Sequence, residues 1–370
     1  MKEMANNLII RALSANAKSF SLSSRKISDL PKSIARLKCI LALHLNNNLL
    51  SVLPTELKSL QRLTELNLGN NILLEIPVVL KHLHALRKLY LFGNKIERLP
   101  PDIFVVLTSE NIMKSELYRE YQLSSTEELP NLTLLNVNHN KIKVIPPQIK
   151  SLVNLEVFSI MDNLLECVPA ELCCLVQLTE INLNNNKVSS LPPVLGRLSN
   201  LRKLYLARNN LYELPEGISG CKSLRILDVA GNLLTMFPTD FGFLALEELL
   251  CEGNSLVHAE LMTSVQEIEV LSLKELAARE VLMEKRNQCS VVHRTLPLYP
   301  ELVSMLSQWG WCAVCHKPFL TTWLECVQFV NLKIDMGMKR NLTVPVRAVL
   351  CSYTCFNEKG HSYYGIASTV

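Results

Sequence analysis

The side chains most able to do chemistry in this chain of 370 residues are four of its twelve cysteines. Cys312 and Cys315 are separated by two residues, and Cys351 and Cys355 by three. Each close pair can present two thiolates from one tight turn, and a metal ion can then join two distant segments in a tetrahedral site. Zinc is the metal this ligand set predicts. Four sulfur ligands leave no open position for water or substrate, so the expected role is structural and not catalytic. Cys326, His316 and His361 stand near enough in sequence to substitute for one ligand. A segment of about 60 residues can hardly build a stable core alone, so metal binding is expected to supply much of its folding free energy.

The elements that must hold these cysteines are legible around them. Residues 324–330 and 344–350 are apolar stretches of strand length, and VLCSYTCF, residues 349–356, reads as the entry to a helix. A knuckle giving one pair and a helix start giving the other resembles a treble-clef finger over 311–370.

Most of the chain is repetitive. In LRKLYLARNNLYELP, residues 201–215, Leu201, Leu204, Leu206, Asn209 and Leu211 precede a Leu214-Pro215 step. The equivalent asparagines are Asn48, Asn71, Asn94, Asn140, Asn163, Asn186, Asn232 and Asn254, 23 residues apart except for 22 at the last step and 46 between Asn94 and Asn140. This pattern is that of the leucine-rich repeat. It predicts an α/β fold: about ten units over 17–260, stacked as a horseshoe-shaped solenoid with a parallel sheet on its concave face. Alternation at Leu204-Tyr205-Leu206 sends two leucines inward and Tyr205 outward. Asn suits the inner turn because its amide both donates and accepts.

Residues 1–16 are expected to form a helical cap, with Leu8, Ile9, Ala12 and Leu13 on one face. In the first repeat Phe20, Leu22, Ile27 and Leu30-Pro31 keep register, while Arg25 stands in the Asn slot. Across 102–130 the pattern fails. The stretch TSENIMKSELYREYQLSS reads as a helix capped by Thr108 or Ser109, either a helical insertion or a degenerate repeat.

The strand residues pointing away from the core form the predicted binding surface. They are His44, Asn67, Tyr90, Asn136, Asn182, Tyr205 and Asp228, flanked by Phe92, Glu180, Lys203 and Arg208. This surface contains no carboxylate pair, Ser-His-Asp grouping or phosphate-cradling glycine loop, so protein recognition is predicted and enzymatic activity is not. Tyr90, Phe92 and Tyr205 are candidate anchors, because aromatic residues dominate interface energetics.

Beyond the repeats, residues 261–310 read as helical. Leu273, Leu276, Ala277 and Val281 fall along one face of a helix that Ser272 can cap, and a second helix should begin at Pro300. SLKELAAREVL followed by LPLYPELVSML is similar to the SOCS box. That resemblance implies that Leu273 enters a pocket of the elongin B/C adaptor beside Leu276, Ala277 and Val281, while Leu296, Pro297 and Pro300 face a cullin. Ala277 stands where the family usually has Cys, and Tyr299 adds a residue within the Leu-Pro-x-Pro element. A helical pair that only closes the last repeat is the competing expectation.

Composition limits the partners. The formal charge is +4 with both signs interleaved, and no lysine or arginine run is present to track phosphates, so nucleic acid is not expected. No apolar run approaches the roughly 20 residues of a membrane span. The first 20 residues lack the apolar core and cleavage site of a signal peptide. A cytoplasmic protein with reduced cysteines is therefore expected, and the sequons at Asn131 and Asn341 carry no weight.

The turns LGNN, LFGN, LARNN and VAGN, together with CAVC, WLECVQFV, LCSYTCF and YGIA, resemble a family of cytosolic leucine-rich-repeat proteins with the same helix pair and cysteine module. That likeness implies an architecture and no assured activity. Two functions are expected: a substrate receptor of an elongin B/C–cullin ubiquitin ligase, or a signalling and assembly scaffold for small GTPases or phosphatases with the C-terminal module as a cap.

Overall fold

A computed structural model describes residues 2–100, 129–257, 271–321, 323–358 and 360–365. The chain divides into two compact units, residues 1–233 with 244–254 and residues 234–243 with 255–370. The first unit opens with helix α1 (Lys2–Ser14), which buries Ala5 and Ile9. Ten three-residue strands follow among the described residues. They are β1 (Ser19–Ser21), β2 (Ala42–His44), β3 (Glu65–Asn67), β4 (Lys88–Tyr90), β5 (Leu134–Asn136), β6 (Val157–Ser159), β7 (Glu180–Asn182), β8 (Lys203–Tyr205), β9 (Ile226–Asp228) and β10 (Glu248–Leu250). They form one parallel sheet in strict chain order, the leucine-rich-repeat solenoid.

Each unit turns for a local reason. The residue before the repeated Asn lies in the left-handed region at Asn47, Asn70, Gly93, His139, Asp162, Asn185, Arg208, Gly231 and Gly253, with φ between 53° and 70°. Asn, Asp and Gly predominate there because they tolerate that conformation best. On the return path Pro31, Pro54, Pro77, Pro146, Pro169, Pro192 and Pro215 stand before short 3-10 helices. Proline suits this place because it has no N–H to leave unpaired.

The inward residues Leu43, Leu66, Leu89, Leu135, Phe158, Ile181, Leu204 and Leu227 lie side by side in register and are fully buried. Beside them runs the asparagine ladder. Asn186 Nδ2 donates to the carbonyls of Ile160 and Leu183, both at 3.0 Å, and its Oδ1 accepts from Leu165 N at 3.0 Å. Each ladder residue thus ties its own repeat to the preceding one and satisfies backbone groups withdrawn from water. At the first repeat, where Arg25 replaces Asn, the backbone N–H groups of Arg25 and Ile27 are both served by Asn48 Oδ1.

The irregular step has a simple outcome in the sheet. Strand β4 pairs directly with β5, matching Leu89 to Leu135, so 46 residues of sequence make one step of the solenoid. The helix expected there, with Thr108 or Ser109 as its cap, lies outside the described residues.

The second unit carries α2 (Leu273–Arg286), α3 (Val291–Thr295), α4 (Pro300–Met305), the ribbon β11 (Gly310–Trp311) with β12 (Pro318–Phe319), the long strands β13 (Leu324–Asn331) and β14 (Thr343–Leu350), helix α5 (Tyr353–Phe356) and strand β15 (Tyr363–Gly365). Strand β13 lies between β14 and β15, antiparallel to both. The outer edge of β14 bonds to Phe237, which donates to Pro345 O at 2.8 Å and accepts from Arg347 N at 2.7 Å. That contact covers part of an edge that would otherwise display unpaired amides. Among the described residues no helix is long and apolar enough to cross a membrane.

Candidate functional site

The four cysteines singled out by their spacing come together. The sulfurs of Cys312, Cys315, Cys351 and Cys355 all lie within 4.8 Å of one another. Cys315 Sγ is 3.5 Å from Cys351 Sγ, which is 3.6 Å from Cys355 Sγ. Four thiolates around zinc at about 2.3 Å are separated by about 3.8 Å along each tetrahedral edge, so the cluster fits such an ion with little rearrangement.

Local structure explains the convergence. Between β11 and β12, Cys312 N donates to Lys317 O and His316 N to Cys312 O, both at 3.0 Å, which closes the knuckle. Gly310 is required beside it, because a Cβ there would lie 2.6 Å from the Phe319 ring. The second pair leaves the end of β14 and enters α5, where Ser352 Oγ accepts from Cys355 N at 3.3 Å. A hydrogen bond from Cys351, aided by the amides of Cys315, Cys351 and Val314, outweighs burial and holds the Cys312 thiol well below its ordinary range. The same bond to Cys312, together with burial, pushes Cys351 up. Metal binding would release the protons that these sulfurs share.

Cys326, His316 and His361 are not part of the cluster. Cys326 is buried, and that burial raises its pKa to about 11. His361 has both nitrogens engaged, Nε2 with Phe356 O at 2.8 Å and Nδ1 with Tyr363 N at 3.2 Å. Its partners fix the tautomer with the proton on Nε2, since Nδ1 must accept.

Helix α2 presents two contrasting faces. Leu273 is 85% exposed and Leu276 46% exposed, with Ala277 also exposed and Val281 half-buried. The inward side consists of Glu275, Ala278 and Leu282. Pro297 and Pro300 are exposed, but Leu296 is only 6% exposed and packs in the cluster containing Ala278, Leu282, Leu306 and Leu320. The expectation that Leu296 faces a partner is corrected by this burial: its side chain belongs to the core of the helical segment.

Glu275 is a residue that sequence reading overlooked. It is fully buried, and its carboxylate accepts from Leu320 N at 2.9 Å, Thr321 N at 2.7 Å, Thr321 Oγ1 at 2.9 Å and Arg279 Nε at 2.8 Å. Burial alone would raise its pKa. The amide of Leu320, the guanidinium and the Thr321 donors prevail and hold it down to about 2. Arg279 Nη2 in turn donates to the carbonyl of the cluster residue Cys351 at 2.9 Å. Ser272-x-x-Glu275 is the signature of a capping box, and the Ser272 half is present because its hydroxyl accepts from Glu275 N. That motif flags Glu275, but gives no hint that its carboxylate serves another loop.

In the first unit, strand pairing brings His44, Asn67, Tyr90, Asn136, Ser159, Asn182, Tyr205 and Asp228 into one row across eight strands. Of these Asp228 is buried and the rest are half-buried. Glu180 and Lys203 pair across adjacent strands at 3.1 Å. Phe92 rests on Gly69, where a Cβ would lie 2.4 Å from its ring. Arg208 stands exposed at a left-handed position. Burial raises the pKa of Tyr90 and Tyr205, and of Asp228, whose carboxylate accepts from Ala230 N and lies near Glu252 and Glu248. Both tyrosines and Phe92 offer aromatic surface on a sheet face that mixes polar groups with the half-buried Leu134, Val157 and Ile226.

Residues 41–96, 130–188 and 177–234 match the family model for the leucine rich repeat. The chain is 41% identical over 132 residues to leucine-rich repeat-containing protein 69 of Xenopus laevis, covering 35% of this chain and 38% of that protein. It is 38% identical over 123 residues to the Homo sapiens protein of that name, covering 33% and 35%. These alignments span little more than a third of the curated relatives. A leucine-rich-repeat protein of Leptospira interrogans superimposes with a TM-score of 0.56 at 28% identity, over 68% of this chain and 65% of that one. A TDR receptor does so with a TM-score of 0.53 at 25% identity, over 69% and 46%. The likeness to leucine-rich-repeat proteins expected from the turns of the repeats is thereby borne out.

Proposed function

We propose that this leucine-rich-repeat protein is a receptor: the row on its sheet captures a target protein, and its helical segment docks elongin B/C and a cullin, which carry out ubiquitin transfer. Leucine-rich repeats support a role in protein binding, and the reading is one of recognition without catalysis by the chain itself. The observation that carries the adaptor half is the division of α2. One side is anchored through Glu275, Ala278 and Leu282, while Leu273 and Leu276 on the other remain in water. Burying two exposed leucines in a partner's pocket is worth several kcal/mol at about 25 cal/mol per Å2. The target half rests on Tyr90, Phe92 and Tyr205, the aromatic groups of the sheet face.

In this reading the four-cysteine cluster binds one structural zinc per chain, and the protein works in the cytoplasm, where its remaining thiols stay reduced. When bound, zinc supplies a cross-link between the knuckle and the start of α5. Cys312 and Cys315 hold it from one side, Cys351 and Cys355 from the other.

Recovery from cells tests the two halves separately. A Leu273→Asp chain should lose elongin B/C and keep its target; a Tyr90→Ala, Tyr205→Ala chain should do the converse. Recovery of small GTPases or phosphatases in place of elongin B/C would favour a signalling scaffold.

A further inference from the structure

Three side chains on one face of α2 reach both halves of the cysteine cluster. Glu275 accepts from Leu320 N, Thr321 N and Thr321 Oγ1, immediately after β12, the strand that pairs with β11 to form the knuckle of Cys312 and Cys315. Arg279, bound to Glu275 at 2.8 Å, donates to the carbonyl of Cys351 in the other half. Arg286, two turns further on, stacks over the Trp311 ring at 4.4 Å, and Trp311 adjoins Cys312. The two segments that a metal would join are therefore also joined by α2.

When two agents hold the same pair of segments, each lowers the entropy that the other must remove, and their free energies are coupled reciprocally. We propose that metal binding at Cys312, Cys315, Cys351 and Cys355 and the ordering of α2 form one linked equilibrium, transmitted by Glu275 and Arg279, so that metal occupancy controls how firmly the exposed Leu273 and Leu276 are presented. This inference rests on the metal reading above and does not require that elongin be the partner.

The pair suits a link better than a general contact. Arg279 meets the metal centre through a carbonyl and so acts on backbone position without competing for a sulfur. Glu275 has all its lone-pair directions committed within a few ångströms, and a buried carboxylate held in this way resists displacement because any partial loosening leaves a charge unpaired. Both are positioning residues. Groups that orient metal ligands from behind commonly change affinity by about 10- to 100-fold.

The test uses the full chain, with zinc alone as the probe. Zinc content, zinc affinity by chelator competition, and hydrogen exchange of the α2 amides are measured for the native protein, Glu275→Gln and Arg279→Met, with Lys274→Met as an exposed control on the same helix. The expected result is faster exchange along α2 when zinc is removed, and zinc affinity weakened by about tenfold or more in the two variants but not in the control. Arg279→Lys keeps the charge and guards against a variant that fails to fold; it should retain part of the affinity. One zinc bound per chain, with α2 exchange indifferent to its removal and both variants binding as tightly as the native protein, would overturn the link while leaving the metal reading intact. Zinc content near zero in the native protein would sink both, and the metal analysis alone identifies that case.

Discussion

Asn140 Nδ2 donates to the carbonyl of Leu91 at 3.0 Å across 49 positions of sequence, making the contact that every other ladder asparagine makes across about 26. Its Oδ1 likewise accepts from Ile96 N at 3.0 Å. The ladder and sheet therefore close over the irregular step as though one period were absent.

Deleting residues 103–125 removes 23 positions (125 − 103 + 1) and restores the ordinary period. Because loop-closure entropy changes slowly with length, the repeats should keep their stability within about 1 kcal/mol. Equilibrium unfolding in urea checks this, and a loss of several kcal/mol would mean that the segment holds the solenoid together.

The ladder itself should be costly to interrupt. Asn186→Ala strands the Leu165 N–H in the core, which costs about 1–3 kcal/mol when unsatisfied, and removes one of two donors from the carbonyls of Ile160 and Leu183, which Asn163 and Asn209 still serve. A loss of about 1–3 kcal/mol is expected, again read from urea unfolding. Asn186→Asp should be no gentler, because a carboxylate would face the carbonyls of Ile160 and Leu183.

Gly69 and Phe92 should behave as one unit. A methyl at position 69 occupies the space of the Phe92 ring, so Gly69→Ala is expected to cost about 1–3 kcal/mol by overpacking. In a Phe92→Ala background most of that cost should vanish. A double-mutant cycle measures the coupling, and strictly additive effects would show that the ring escapes without strain.

Acid should loosen the second unit through Glu275. Its pKa in the folded chain, about 2, lies below the ordinary 4.5. Its contribution is therefore complete above about pH 4.5 and is lost as pH falls towards and through 2. All three tryptophans, Trp309, Trp311 and Trp323, lie in this unit, so their fluorescence reports on it selectively. Glu275→Gln should be less stable at neutral pH and show a flatter fall across that window. An unchanged acid profile would remove Glu275 from the structural core of this unit.

Much of the repeat fold was legible because its determinants are local. The period of Leu and Asn gives the strands, the inward row and the outward row, and the Leu-Pro steps give the return path. Cysteine spacing identified the cluster for a similar reason, since two short motifs specify four ligands. What escaped were contacts joining segments far apart in sequence. The apolar pattern placed Leu273, Leu276, Ala277 and Val281 on one side of α2 without revealing that the opposite side would anchor through a buried carboxylate. Leu296 likewise looked available in sequence and proved to be core, because its partners Ala278 and Leu282 are a helix away. A Glu-Arg pair at i and i+4 ordinarily reads as a solvated surface bridge. The loop at 320–321 and the carbonyl of Cys351 together make it interior.

The central claim is that the chain docks an adaptor through the outer face of α2, and direct binding of purified elongin B/C to the full chain and its Leu273→Asp variant tests it most simply. The prediction is saturable binding by the native chain, lost by at least about tenfold in the variant while its unfolding curve is unchanged. Equal binding by both, or none by a folded and zinc-loaded native chain, would contradict it.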